Sequence, residues 1–185
     1  MRRRSSWGTK LSERIVSRDE IFSGRIVRLV VDRVELPDGS EASRELVLHP
    51  GAVAILPILD DGRILLVRQY RHAIGTELLE IPAGKLDVEG ESPQECAARE
   101  LREETGYVAS DWEEICTFYT SPGFTNERIV LFRATGLRRV GSPAPGEIAG
   151  LELVAPGDIP KMIATGELID GKTLIALSWR NGVNG

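Results

Sequence analysis

Gly84-Lys85-Leu86-Asp87-Val88-Glu89-Gly90-Glu91-Ser92-Pro93-Gln94-Glu95-Cys96-Ala97-Ala98-Arg99-Glu100-Leu101-Arg102-Glu103-Glu104-Thr105-Gly106-Tyr107 is the most informative stretch of this chain. Its residue types mark both ends of a helix. Ser92 suits an N-cap, Pro93 suits the first helical position, and Glu95 completes a capping box. Gly106 suits the C-terminal stop. At about 100° per residue, Glu100 and Glu104 fall nearest Ala97 and Leu101, the apolar stripe. Glu103 lies further out, above Arg99. The acids line an edge between core and solvent, and two of them lean inward.

Helix stability does not select this pattern. Like charges at this spacing repel by roughly 0.2–0.5 kcal/mol a pair. Glu103 and Glu104 also occupy the last turn, where the helix dipole disfavours anions, and Arg99 and Arg102 offset only part of that. One reading is a solvated acidic face with intrahelical ion pairs. The other is a divalent cation, because hard cations take oxygen ligands from carboxylates.

The stretch resembles the Nudix box: a Gly, a spacer, a Glu, seven residues, then Arg-Glu-apolar-x-Glu-Glu-x-Gly-apolar. Gly84, Glu91, Arg99, Glu100, Leu101, Glu103, Glu104, Gly106 and Tyr107 fill its defined positions. One departure is that six residues, not five, separate Gly84 from Glu91. The extra residue lies ahead of the cap and leaves the helical phase unchanged. The resemblance implies a metal-dependent hydrolase of a nucleoside diphosphate linked to another moiety. It makes Glu100 and Glu104 the principal ligands for Mg²⁺ or Mn²⁺, with Glu103 assisting and the Ala83 carbonyl joining them. Arg99 then orients an acid by an ion pair, and Gly84 permits a close chain approach. A box Glu, Glu103 or Glu104, or else Glu147, accepts the proton of the attacking water. Glu147 stands in a Gly/Pro-rich loop where related enzymes carry a metal-binding or water-activating Glu, so it is a candidate metal ligand too. An ordinary surface Glu is the other reading of that position.

The flanks resemble ADP-ribose pyrophosphatases from about Ile21 to Trp179. The pieces are His49-Pro50-Gly51-Ala52-Val53, Arg68-Gln69-Tyr70-Arg71, Leu79-Glu80-Ile81-Pro82-Ala83-Gly84 and Tyr119-Thr120-Ser121-Pro122-Gly123-Phe124-Thr125-Asn126-Glu127. Pro122 stands about fifteen residues past the box, the mark of that subfamily. GDP-mannose hydrolases share several of these pieces. The implied substrate is a nucleoside diphosphate sugar such as ADP-ribose, cut to AMP and ribose 5-phosphate. Arg68 and Arg71, three apart on a strand, point to opposite faces. The resemblance favours Arg71 as the diphosphate contact, where a guanidinium fork suits two oxygens. Glu80 and Glu127 are further candidate substrate contacts, and Phe22 is a candidate adenine stacker beside Trp7 and Tyr107. A non-catalytic nucleotide-sugar binding module is the reading from another class, and the intact box acids argue against it.

Outward from the box, the chain reads as α+β. Ile21–Leu36 is rich in β-branched residues, Pro37-Asp38-Gly39 is a turn, and Glu45–His49 returns as a strand. Ala52–Leu59 and Arg63–Arg71 are apolar on both faces and read as central strands around an Asp60-Asp61-Gly62 turn. Leu78–Pro82, Trp112–Thr120, Arg128–Ala134 and Leu151–Ala155 are further strands. Two helices follow near Asp158–Thr165 and Gly171–Arg180. The predicted architecture is a Nudix α/β/α sandwich with a mixed sheet, preceded by a small N-terminal antiparallel hairpin. Residues 1–48 form the extension and residues 49–185 the hydrolase domain. A two-stranded hairpin is marginal alone. The resemblance implies a homodimer in which that hairpin reaches the partner's site, with Phe22–Arg28 beside its adenine.

The composition narrows the class. Acids outnumber bases 28 to 23, a net charge of −5, so a general nucleic-acid binder is not expected. The only basic run is Arg2-Arg3-Arg4. No apolar run reaches the roughly 20 residues of a membrane helix, and no secretory signal is visible. Cys96 and Cys116 have no metal-type spacing and read as free thiols of a reducing, cytoplasmic setting.

Overall fold

The computed structural model describes residues 12–146 and 148–180. Its elements run β1 (Arg14–Ser23), β2 (Arg28–Glu35), β3 (Glu41–Leu48), β4 (Ala52–Pro57), β5 (Ile64–Arg71), β6 (Thr76–Glu80) and β7 (Ala83–Lys85). Then come α1 (Pro93–Thr105), β8 (Tyr107–Val108), β9 (Asp111–Tyr119), β10 (Arg128–Thr135), β11 (Arg138–Arg139), β12 (Ile148–Val154), α2 (Ile159–Ala164) and α3 (Gly171–Arg180). The chain divides into two compact units. One runs to His49 and includes Ser121–Glu127; the other holds Pro50–Thr120 and the chain from Arg128 onward.

The first unit is a three-stranded antiparallel sheet, β1-β2-β3, in which β2 and β3 are the expected hairpin and β1 is an added strand. The single strand expected over Ile21–Leu36 is broken at Gly24, whose N–H donates to Val27 O at 2.9 Å. Arg14–Ser23, ahead of that break, is β1. Local pattern hides it because every one of its residues is exposed. What holds it is cross-strand pairing to β2: Arg14 with Glu35, Glu20 with Arg28, and a two-bond fork from Arg18 to the buried Asp32 at 2.6 and 2.7 Å. The Pro37-Asp38-Gly39 turn is present, with Gly39 at φ 85° and the Ser40 N–H bonded to Asp38. Ser121–Glu127 is tied to this unit by Val47 N–H donating to Phe124 O and His49 N–H donating to Asn126 Oδ1, both at 2.8 Å.

The second unit is layered around β4 and β10, which pair in parallel within the mixed sheet β7-β4-β10-β9. All six residues of β4 are buried, and alternation sorts them into two cores. Ala52, Ala54 and Leu56 face the core shared with β5, β6, α2 and α3. Val53 and Ile55 face the core completed by Cys96, Ala97 and Leu101 of α1. Helices thus cover both faces of the central strands, the expected sandwich. The α1 limits are as expected: Ser92 and Glu95 form a reciprocal capping box, Pro93 opens the helix, and Gly106 closes it at φ 74°. Gly106 has a second duty. A side chain there would lie 2.5 Å from Gly141 O, where the following loop crosses the helix end.

Candidate active site

The box helix packs beside β7, the edge strand next to β4. Glu104 Oε2 accepts the Ala83 N–H at 3.0 Å. Ala83 sits opposite Ala54, and at the neighbouring pair the Ile55 N–H donates to Pro82 O at 2.9 Å. Antiparallel alternation therefore turns both the N–H and the C=O of Ala83 away from β4, to the side on which Glu104 stands. Glu100 crosses the next residue: a methyl group on Gly84 would lie 2.0 Å from Glu100 Cδ. The close approach expected at Gly84 is thus made by the Glu100 side chain.

Arg99 organises the acids. Its Nε and Nη2 donate to the two oxygens of Glu91 at 2.8 and 3.0 Å, and its Nη1 donates to Glu100 at 2.7 Å and Glu103 at 3.2 Å. Arg99 thus bridges Glu91, which precedes the helix, to Glu100 and Glu103 on it. The Arg99 fork holds the Glu91 carboxyl below its usual range. Glu103 is turned outward, its side chain 51% exposed. Glu100 and Glu104 face inward, as the helical arc placed them.

Burial pushes the Glu104 carboxyl up to about 7, against the Ala83 N–H bond and with repulsion from Glu100. Burial also raises Glu100, against the pull of Arg99. Two half-buried acids made costly by desolvation, beside an outward-turned carbonyl, are oxygen donors matched to a hard divalent cation. Among the described residues no three acidic, His or Cys side chains converge into a ready-made metal cluster. Glu103 faces solvent while Glu100 is mostly covered, so the inward donor set that fits a cation is Glu100, Glu104 and the Ala83 carbonyl.

Arg71 and Arg68 part company as the extended strand requires. Arg68 Nη2 donates to Glu152 at 2.6 Å and lies 3.9 Å from Glu167. Arg71 donates through Nε and Nη2 to the two oxygens of Glu80, at 2.7 and 2.5 Å. Glu80, expected to touch substrate, is instead buried, its side chain 1% exposed and shared with Lys172. Burial alone would raise its carboxyl, but Arg71 and Lys172 carry it below the usual range. Its place is behind Arg71. Glu127 and Phe22 belong to the first unit. Glu127 Oε1 stands 3.7 Å from His49 Nδ1, and the Phe22 ring is exposed and lies against Gly24. Glu147 and Trp7 lie outside the described residues. Lys172, Asp170 and Thr173 at the start of α3 were not foreseen. A lysine in the first turn of a helix, against the dipole, was the available sign.

The NUDIX domain pattern matches residues 48–176 of the chain, and a nucleoside diphosphate sugar hydrolase N-terminal domain matches residues 13–47. The chain belongs to the Nudix family. It is 41% identical over 172 residues to an ADP-ribose pyrophosphatase of Bacillus subtilis (strain 168), covering 91% of this chain and 92% of the relative. It is also 41% identical over 175 residues to a methanol dehydrogenase activator of Bacillus methanolicus, covering 93% and 94%. The crystal structure of an ADP compounds hydrolase superposes with a TM-score of 0.82 at 22% identity, over 94% of this chain and 95% of that one, a likeness of fold. Hydrolases of this family depend on divalent cations, and this Nudix chain carries a donor set that fits one.

Proposed function

We propose that this Nudix chain hydrolyses the diphosphate linkage of ADP-ribose, giving AMP and ribose 5-phosphate, with Mg²⁺ or Mn²⁺ held by Glu100, Glu104 and the Ala83 carbonyl. The observation that carries the reading is the inward pair Glu100 and Glu104 converging on the Ala83–Gly84 edge. When bound, the cation neutralises phosphate oxygens and makes a water more acidic. The chain's own residues do the rest. Arg71 presents its guanidinium to the diphosphate. Arg99 keeps Glu100 in place, and Glu147 or a box Glu takes the proton of the attacking water. The Pro122 segment and the Bacillus subtilis relative favour ADP-ribose over GDP-mannose. The relative named as a dehydrogenase activator covers a similar share of the chain, 93% against 91%, so the substrate is decided by a product assay.

The test compares kcat/KM for ADP-ribose, GDP-mannose and a nucleoside triphosphate with Mg²⁺. ADP-ribose should lead; preference for the triphosphate would sink the reading. Glu104→Gln should lower kcat by more than about 100-fold, beyond what outer-shell partners of a metal usually cost. Glu147→Gln should lower kcat much more than it raises KM.

The same reading includes a homodimer acting in the cytoplasm on a small molecule, with nucleic acid and membrane playing no part. No helix among the described residues is long and apolar enough to cross a membrane. Ile15, Ile21 and Phe22 of β1 and Ile26 of the following turn are exposed apolar residues, which supports cover by a second copy. Deleting residues 1–45 should leave a monomer, or an insoluble chain, without activity. A truncated chain that stays dimeric and fully active would remove this part of the proposal.

A further inference from the structure

Lys172 is buried at the start of α3 instead of reaching for water, its side chain 10% exposed. Its Nζ is bonded to Glu80 Oε2 and lies 3.1 Å from Asp170 Oδ1. The other oxygen of Asp170 accepts the N–H and the hydroxyl of Thr173 at 2.9 and 2.6 Å, which caps the helix. Thr173 Oγ1 in turn accepts the Ile81 N–H at 2.9 Å. Two consecutive residues of α3, Lys172 and Thr173, therefore grip two consecutive residues of the strand end, Glu80 and Ile81.

The far side of Glu80 is Arg71, so Arg71, Glu80, Lys172 and Asp170 alternate in sign. Solvent does not reach the Glu80 carboxylate, and its place is decided by its two cations. The Nε and Nη2 edge of Arg71 is occupied by Glu80, while the side chain stays 38% exposed. Among the described residues Nη1 has no hydrogen-bond partner, and that is the side an anion can meet. A turn of the Glu80 carboxylate would swing that side away, because a two-bond fork transmits orientation.

We propose that Lys172 is a positioning residue for the substrate diphosphate: by holding Glu80, it fixes which edge of the Arg71 guanidinium faces the substrate. The proposal rests on the reading of Arg71 as the diphosphate contact. Lys172 itself stays behind the contact and touches no substrate atom.

The experiment is a double-mutant cycle with Lys172→Met and Arg71→Met, read by steady-state kinetics on ADP-ribose with Mg²⁺ and by calorimetric binding of ADP without added metal. Lys172→Met should raise KM and weaken ADP binding about tenfold, the lower end for an outer-shell partner. The change in kcat should be much smaller. In the Arg71→Met background the same change should add nothing, because Lys172 acts through Arg71. A Lys172→Met protein with parental KM and ADP affinity, whatever its melting temperature, overturns the proposal. So does a further tenfold loss on top of Arg71→Met, which would mark direct contact. Lys172→Gln, which keeps a polar partner for Glu80 without the charge, replaces the methionine variant if that chain does not fold, and is judged by the same outcomes. A parent that binds ADP but cleaves no nucleotide sugar would sink the functional reading alone, since loss of ADP binding in the variant still supports the lysine's role. A parent that neither binds ADP nor cleaves ADP-ribose overturns both.

Discussion

Arg99 finds its partners Glu91, Glu100 and Glu103 within 8, 1 and 4 residues of itself, whereas Glu80 draws its two cations from 9 and 92 residues away. The first cluster lies on the rim of a helix and is partly open to water. The second is walled into the second unit between β5, β6 and α3. Both place an arginine beside a carboxylate, yet they differ in what water can repair. A rim carboxylate that loses its partner is rehydrated. A buried one is not, so its partners must arrive together or the site is strongly penalised.

The sharpest way to break that contrast is Glu80→Leu. It leaves Arg71 and Lys172 as facing cations with no shared anion, and should cost about 3–5 kcal/mol by denaturant unfolding. A loss within the range of ordinary surface changes would show the buried cluster to be as replaceable as the rim.

Next in size is the pH dependence of the cation-free protein. The Glu104 carboxyl titrates near 7 in the fold, above its ordinary range, so the folded state holds a proton that the unfolded chain has released. Stability should fall as pH rises from the ordinary carboxylate range to about 7. The loss is up to about 3 kcal/mol, at about 1.4 kcal/mol per pH unit. Glu104→Gln should melt higher than the parent at pH 8, with the gap closing below pH 4.5, and Mg²⁺ should restore the parent at pH 8. Glu80 runs the other way. Its carboxyl is lowered by Arg71 and Lys172, so its contribution is present at neutral pH and lost on acidification. A parent and a Glu104→Gln variant with parallel pH profiles would remove the contrast between these two acids.

Gly84→Ala should follow, by pushing Glu100 off the strand edge. Cation affinity should fall at least about tenfold, read by Mn²⁺ titration, with the helix intact by circular dichroism. The smallest effect belongs to Glu91→Gln. It frees one side of Arg99 at a rim where water can enter, and should shift the unfolding midpoint by less than about half the Glu80→Leu shift. An equal shift would mean that Arg99 is as dependent on its partner as Arg71.

Much of the fold was legible because its signals are local. Ser92, Pro93, Glu95 and Gly106 marked α1 through hydrogen bonds within a few residues, and the apolar runs of β4 and β5 announced strands covered on both faces. The inward lean of Glu100 and Glu104 followed from helical phase alone. β1 was illegible because it buries nothing; its order comes from pairing with β2 and from ion pairs spanning 8 to 21 residues. The reason for Gly84 was half legible, since close approach was foreseen but not the side chain that makes it.

By itself, the sequence determined the box helix, its caps and which of its acids lean inward, because residues three and four apart on a helix meet whatever the rest of the chain does. Only the tertiary structure decided that Glu80 stands behind Arg71, that Arg68 turns to Glu152, and that Lys172 closes the buried cluster. Arg68 and Glu152 are 84 residues apart along the chain, and Glu80 and Lys172 are 92 apart. Their charges interact strongly only after β5, β6 and α3 pack together and exclude the water that would otherwise screen them.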